Sequence, residues 1–510
     1  MSETVVSQWQ PYDFAFASHC EYENPFAVPF RAIVHTPSSG AFVVDGFYDG
    51  DSVWKLRIAP WEPGIWSFRT ESNDPNLNGR EATFRCVENA NPAIHGGLKI
   101  DSEHPRHFIW EDGRRYFLLG YECDWLWALD LTPNGTSPDG IPTVDRFLDQ
   151  LAANGFNHVI MNAYAHDCGW QEGTTGTDDY GPPPLYAWGG TNESPDHSRF
   201  NLAYWQHYDQ IMDALMRRGI VAHIMIKVYN KMVNWPEPSS DLDDRFFRWL
   251  IARYAAYPNT VWDFSKESNN EPDLAYKLDR IRLIRRYDPY GRLITTHDDE
   301  HEYMNGSYDD VLDFHSDQHH QDWHAETLRK RSARKWPIVN VELGYEHGPK
   351  GLDDFTYGVV QAPEEVVRRA WEVCMAGGYA TYYYTYTAWD VIRPDDVPPG
   401  YAYFRNLATF FAETNWWRMK PVDHLIRITK PGERENEIYC LADAGAEYIV
   451  VLNRPAEFEL TLEGYTEFVG RWYDPLAGTW SDAGTFGPGV VQVTRPTEHD
   501  AAPIVLYLTR

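Results

Sequence analysis

The sequence predicts an α/β protein built as a (β/α)8 TIM barrel flanked by two antiparallel β-sandwich domains, and three observations carry that prediction. The chain has 510 residues, well beyond the roughly 250 to 300 at which a single core stops growing. Its middle alternates short apolar runs with helical periodicity, and its two ends show turn-punctuated β-patterns instead.

The middle of the chain gives eight strand candidates, at 116–120 (YFLLG), 157–161 (NHVIM), 221–227 (VAHIMIK), 260–264, 293–296, 311–315, 338–341 and 379–385. Helices are expected between and after them at 144–154, 203–218, 244–256, 273–286, 322–335, 364–375 and 404–413. Several open after Pro, Asp or Thr and stop near Gly or a basic residue, as helix boundaries do. Repeated strand-then-helix units imply parallel strands joined by right-handed crossovers, and eight such units favour closure into a barrel over an open sheet.

Before the barrel, β-runs at 27–35, 40–46, 52–58 and 64–70 alternate apolar and polar positions, the signature of an antiparallel sandwich. The polar stretch ENANPAIH at 88–95 resembles a linker. After Pro421 the β-pattern returns at 437–441, 447–452, 458–462, 468–473, 490–494 and 503–508. The expected domains are therefore 1–95, 96–420 and 421–510.

Composition removes whole classes of function. Hydrophobic residues at 43% and charged residues at 24% supply a folded core rather than a disordered chain. A net charge of −30 repels phosphate backbones and anionic lipid surfaces, so neither nucleic acid nor membrane is expected as a partner. The 21 Trp and 32 Tyr serve the cores, and some are candidates for the flat platforms on which sugar rings stack. Cys20, Cys86, Cys123, Cys168, Cys374 and Cys440 lack metal-ligand spacing and are too sparse for a disulfide framework, so free thiols are expected. The opening MSETVVSQWQPYDF has neither a basic nor an apolar leader segment, and no run of about 18 apolar residues occurs, which gives a cytoplasmic expectation.

In a barrel of this kind chemistry gathers at the C-terminal ends of the strands. Two glutamates close such runs: Glu267 ends TVWDFSKE at 260–267 on the fourth strand, and Glu342 ends WPIVNVE at 336–342 on the seventh. Strands four and seven lie almost opposite each other, so the two carboxyls can face one another across a sugar bond. Retaining hydrolysis asks for that arrangement, one carboxylate attacking the anomeric carbon and one carboxylic acid protonating the leaving oxygen, roughly 5 to 5.5 Å apart. Glu342 is assigned as nucleophile and Glu267 as acid/base. Of the nearby competitors, Glu271 precedes Pro272 and is explained as a helix-start residue, and Glu346 could hydrogen-bond substrate but lies one step past the strand.

VWDFSKE at 261–267 and PIVNVELGYE at 337–346 resemble the strand-four and strand-seven segments of the retaining (β/α)8 glycoside hydrolase superfamily, clan A, and within it the apiosidase-like barrels. The N-terminal stretch FRAIVHTP…VDGFYDG…WKLRIAPWEPGIWSFRT and the C-terminal YCLADAGAEYIVVL…VGRWYDPLAGTW are similar to the sandwiches fused before and after such barrels. The resemblance implies two catalytic glutamates, no cofactor and a carbohydrate substrate. Lys266 departs from it, because the superfamily usually has Asn directly before the acid/base. Lys266 could meet an acidic sugar group or lower the pKa of Glu267, and Asn269 or Asn270 could supply the missing amide.

Other strand ends offer lining groups for a sugar: Asp124 and Trp125 after strand one, His166 and Asp167 after two, Tyr229 after three, His297 and Asp298 after five, His315 after six and Trp389 after eight. Trp389 resembles the tryptophan that floors the superfamily's sugar subsite. His315, His319, His320 and His324 raise a metal reading, but neither an HxH opening after strand one nor HExxH is present, and no metal is expected. The function expected is exo-acting retaining hydrolysis of short plant- or microbe-derived oligosaccharides. The 164–200 insertion would wall one side of the cleft, and the appended sandwiches offer surfaces for self-association into a homo-oligomer. Two other functions stand beside it, a non-catalytic carbohydrate-binding barrel and a metal-dependent isomerase or hydrolase.

Overall fold

The computed structural model describes residues 3–169, 182–349, 351, 360–387, 393–429, 437–454, 457–496 and 503–510. Among them one parallel sheet carries the strands β1 (Leu119–Glu122), β2 (His158–Asn162), β3 (Val221–Val228), β4 (Thr260–Lys266), β5 (Ile294–Thr295), β6 (His315–Asp317), β7 (Ile338–Asn340) and β8 (Tyr379–Tyr382). Hydrogen-bonded neighbours run β5-β4-β3-β2-β1-β8-β7-β6. The two ends of that row meet at a parallel bridge between His297 and Ser316. Side chains reinforce the meeting, with Thr295 Oγ1 donating to the Phe314 carbonyl at 2.9 Å and accepting from the Ser316 amide at 3.2 Å. The sheet thereby closes into the expected barrel.

Helices follow the strands: α1 (Pro142–Ala153), α2 (Leu202–Arg217), α3 (Asp241–Tyr254), α4 (Leu274–Tyr287), α5 (Glu300–Asn305), α6 (Trp323–Ala333), α7 (Pro363–Met375) and α8 (Gly400–Ala412). Their starts follow local chemistry. Ser240 caps α3 by accepting from the Asp243 amide, Asp273 caps α4 by accepting from the Tyr276 amide, and Pro opens α1 and α7. Every residue of β3 and β4 is buried, because barrel strands are covered on both faces and so read as continuous apolar runs. The short α5 has no counterpart in the sequence reading, since EHEYMN carries no apolar periodicity.

Two barrel strands start later than the apolar runs suggested, and both displacements matter for the site. Arg115–Tyr116 pairs antiparallel with Phe108–Trp110, which in turn pairs with Leu98–Ile100. This small sheet lies under the barrel, with Phe108 against Phe314 and Tyr379 at ring separations of 5.3 and 5.4 Å. The first barrel strand therefore begins at Leu119 and includes Glu122. Likewise Val311 and Leu312 form the approach to β6, so the strand runs His315–Asp317 rather than ending at His315.

The N-terminal region stacks two sheets. One runs Thr4–Ser7, Glu81–Val87, Gly64–Ser72, Phe30–His35, Ala41–Asp45, and the other Tyr12–Ala17, Val53–Ile58, Phe47–Tyr48. Trp54, Trp66, Phe68 and Phe84 fill the space between them. The C-terminal region pairs a six-stranded with a three-stranded sheet around Tyr448, Phe458, Leu460 and Leu506. It docks on α8, where Phe410 stacks on Trp480 at 5.4 Å and meets Tyr473 at 5.0 Å. All six cysteines are unpaired. Among the described residues no helix is long and apolar enough to cross a membrane.

Candidate active site

At the end of β4, Glu267 adopts the left-handed conformation with φ 53° and leads into the 3-10 turn Ser268–Asn270. Asp298, just past the neighbouring β5, does the same with φ 53°. Such a conformation costs a non-glycine residue on the order of 1 kcal/mol and survives only where the surroundings impose it. Here the Ser268 amide donates to the His297 carbonyl at 3.0 Å and the Asn269 amide to the Asp298 carbonyl at 3.1 Å, so the two strand ends hold each other. Burial raises the Glu267 carboxyl above the usual carboxylate range, and the Glu342 charge adds to it. Burial lifts the Asp298 carboxyl to about 8, with the carboxylates of Glu267, Asp317 and Glu342 contributing.

Across the mouth, Glu342 follows β7 and is buried. The Lys266 ammonium lies 2.9 Å from its Oε1, His297 Nε2 lies 3.5 Å from the same oxygen, and the Tyr345 hydroxyl donates to Oε2. Burial alone would push this carboxyl up, but Lys266, His297 and the Tyr345 hydroxyl outweigh it, and Glu342 is held below the ordinary range. The same ammonium bonds Glu122 and, at 3.0 Å, Asp124. Three donors on Lys266 thus meet three carboxyl groups. Burial drives Glu122 and Asp124 upward against the pull of Lys266, while Lys266, surrounded by acids, is raised well above the usual lysine value despite its own burial. His297 is pushed down to about 4 by burial, and its neutral ring donates from Nε2 to Gln318 Oε1 at 2.9 Å.

The other sequence candidates divide. Trp125 stands beside His166 with ring centroids 5.5 Å apart, and His166 Nδ1 lies 3.1 Å from the Asn192 amide. Asp167 accepts from the Met232 amide, and Tyr229 packs on Phe264. His315 faces away from the mouth: its ring stacks on Tyr303 of α5 at 3.9 Å, because alternate residues of β6 point to the helical layer. The expectation that it reads substrate is corrected by that orientation. Trp389 and the centre of the 164–200 insertion lie outside the described residues. Glu271 accepts from the Asp273 amide at the start of α4. Glu346 accepts from the Gly400 amide at 2.9 Å and the Tyr382 hydroxyl at 2.6 Å, so it caps α8.

Of the four clustered histidines, His315 and His324 go to different neighbours. His324 bonds Asp423 at 2.8 Å and stacks on Tyr439 at the junction with the C-terminal sheets, remote from His315 on its helix-facing side. Glu122, His297 and Glu342 do bring ligand atoms within 4.8 Å of one another. Lys266 already bonds both of those glutamates, so a fixed cation balances the set that a divalent ion would need. A second set, Glu300, His319 and Glu326, has its glutamates ion-paired to Arg329 and Lys330.

Sequence reasoning missed Glu122, Tyr345 and Gln318. Glu122 was hidden by the late start of β1, although GYECD at 120–124 spells two acids on one strand end. Tyr345 lies three residues past Glu342 in ELGYE, and Gln318 directly follows β6, where the displaced strand end put His315 forward instead.

Comparison with known proteins places these residues in context. The profile of the family described as apiosidase-like, catalytic domain, matches residues 102–420. A domain of unknown function, DUF5060, matches residues 5–73. No curated protein matches the chain. Among solved structures, a putative glycoside hydrolase from Bacteroides vulgatus superposes with a TM-score of 0.79 at 19% identity, covering 100% of both chains. A structure described as a glycoside hydrolase gives 0.62 at 18% identity over 81% of this chain and 97% of its own. A family 5 glycoside hydrolase from Bacteroides vulgatus gives 0.60 at 18% identity over 81% and 93%. At these identities the superpositions establish a shared fold.

Proposed function

The chain belongs to the apiosidase-like catalytic domain family and is a glycoside hydrolase, and from that premise we propose that it cleaves its substrate with retention through Glu342 and Glu267. In this reading Glu342 attacks the anomeric carbon as the leaving oxygen takes a proton from Glu267. Glu267 then returns as base to draw a proton from the water that releases the sugar. The observation that carries the reading is the opposed tuning of the two carboxyls. Glu342 is held below the ordinary carboxylate range by Lys266, His297 and Tyr345, and Glu267 is raised above it by burial and by the charge of Glu342. Pairs of acids whose surroundings push them apart in this way suit division of labour between nucleophile and acid.

Lys266 takes a different part from the one its sequence position suggests. With its ammonium committed to Glu122, Asp124 and Glu342, it serves the nucleophile's charge rather than an acidic sugar. Asp124, Trp125, His166 and His297 remain proposed contacts to sugar, joined by Trp389. The substrate proposed is a short plant- or microbe-derived oligosaccharide trimmed from its end. Six unpaired thiols support a cytoplasmic place of action, and the chain is proposed to divide at 1–95, 96–420 and 421–510.

The test is release of aryl alcohol from a panel of aryl glycosides that includes an apioside. Glu342→Ala and Glu267→Ala are each expected to lose most turnover, with azide partly restoring the Glu267 variant. Proton NMR of the first-formed anomer is expected to show retention. Turnover that survives both substitutions, or an inverted product, would end the assignment. Sugar binding without turnover by the wild-type protein would favour a non-catalytic barrel.

A further inference from the structure

Below the catalytic mouth, the barrel interior holds four polar side chains that the proposed reaction does not use. His158 begins β2, His223 sits in β3, Asp263 lies in the middle of β4, and Tyr116 belongs to the small sheet under the barrel. The three strand residues are fully buried. They form a continuous series: Tyr116 Oη lies 3.3 Å from His158 Nδ1, His158 Nε2 lies 2.9 Å from His223 Nδ1, and His223 Nε2 lies 2.9 Å from Asp263 Oδ2. The other oxygen of Asp263 accepts from the Ser265 amide at 3.0 Å and from the His297 amide at 3.1 Å.

Hydrogen-bond bookkeeping fixes the protons along this series. Two backbone amides donate to one oxygen of Asp263, and as an ionised carboxylate it takes a third hydrogen bond on the other oxygen from His223 Nε2. His223 must then carry its proton on Nε2, which leaves Nδ1 as an acceptor. His158 must therefore donate from Nε2, which leaves its Nδ1 and the Asn157 carbonyl as two acceptors, at 3.3 and 2.8 Å, sharing the single proton of the Tyr116 hydroxyl. Both rings are neutral in this arrangement, in keeping with the burial that pushes His158 well below the usual histidine value. A single tautomer is selected at each ring by its neighbour.

We infer that the His158–His223–Asp263 series is a positioning device that sets where the ends of β4 and β5 stand, and through them Glu267 and His297. Asp263 is the point at which the device acts. One of its oxygens is tied down by His223, and the other grips one amide on each of the two strands that end in the left-handed residues Glu267 and Asp298. His297, whose amide is gripped, presents its ring to Glu342 and Gln318. The inference rests on the assignment of Glu267 and Glu342 as the catalytic pair. It adds three residues that lie below the sugar site, and so each is a positioning residue rather than a catalytic one.

Asp263→Asn is the informative variant, because the series can accept it by reversing. An amide at 263 keeps its oxygen for the two backbone amides and donates to His223 Nε2. His223 then donates from Nδ1 to His158 Nε2, and His158 donates from Nδ1 to Tyr116. The experiment is nitrogen NMR of the full chain labelled in the histidine rings, with His158→Gln and His223→Gln used to assign the two signals. Wild type is expected to carry both protons on Nε2, and Asp263→Asn to carry both on Nδ1. On the best substrate, Asp263→Ala, which releases both backbone amides, and His223→Gln are expected to lose about 10- to 100-fold in kcat with KM little changed, the cost of a small misplacement at the reacting groups, while Asp263→Asn, which keeps both amides, stays near wild type.

Wild-type rings protonated on Nδ1, or rings that do not reverse in Asp263→Asn, would overturn the series whatever the activity. So would a folded Asp263→Ala or His223→Gln with undiminished kcat. Survival of turnover in the Glu342 and Glu267 variants would instead sink the catalytic assignment while leaving the ring protonation as described, so the two failures are told apart.

Discussion

Lys266 places its ammonium 2.9 Å from the Glu342 carboxylate although the two residues come from strands on nearly opposite sides of the barrel. Because Glu122 and Asp124 share that ammonium, its removal would leave three buried carboxyls facing one another. Lys266→Met is expected to let Glu342 take up a proton at a higher pH. The acidic limb of activity, which needs ionised Glu342, would then move up by about one to two pH units. The fall in kcat/KM at the wild-type optimum is expected to be about 100-fold or more, as for loss of a preorganised charge at a reacting group. A pH–rate profile of the variant checks both, and an acidic limb that stays in place would contradict the role given to Lys266.

Asp298 offers a pH test from the other side of the mouth. Its carboxyl, raised to about 8, stands in the field of Glu267, so the two titrate as a pair that retains one proton toward mildly alkaline pH. Asp298→Asn suits the left-handed backbone and leaves Glu267 to titrate alone. The alkaline limb of kcat/KM is expected to move down by on the order of one pH unit. Comparison of the two profiles on one aryl glycoside decides it.

Glu346 separates helix capping from catalysis. Its carboxyl is raised to about 7 by burial, against the pull of the Tyr382 hydroxyl and the Gly400 amide. A folded value above the unfolded one, about 4.3, means that the folded state binds the proton more tightly. The stabilisation is present in full below the unfolded value and is lost as pH climbs through 7. Glu346→Gln keeps both hydrogen bonds and removes the titration. Urea unfolding at pH 5 and pH 8 is expected to show wild type losing stability relative to the variant on the way up, with turnover near wild type throughout. A variant as inactive as Glu342→Ala would move Glu346 into the catalytic machinery.

The barrel was legible in the sequence because each buried strand had to be apolar on both faces, and because helices with ordinary caps separated them. Glu267 and Glu342 could be picked out since each ends such a run. Glu122 and Gln318 could not, because the register of β1 and β6 is set by pairings that a single run does not contain. For β1 the decisive partner is the sheet under the barrel, which takes Tyr116 away from the wall. For β6 it is the bridge to β5, which fixes Ser316 opposite His297 and thereby turns His315 toward Tyr303. The role of Lys266 was equally hidden, since its partners come from β1 and from beyond β7, far away along the chain.

The wall between β5 and β6 has one bridge, backbone bonds from Asp313 to Ile294 and from Asp298 to Ser316, and the hydroxyls of Thr295 and Ser316, where the seams between β2, β3 and β4 have long ladders. Amide protons along this join rest on fewer ladder bonds than those between β3 and β4, so they are expected to exchange with solvent sooner on warming. Asp298 and Gln318 sit on its two lips. Loosening there would reach the acid side of the mouth while the long ladders between β2, β3 and β4 still hold.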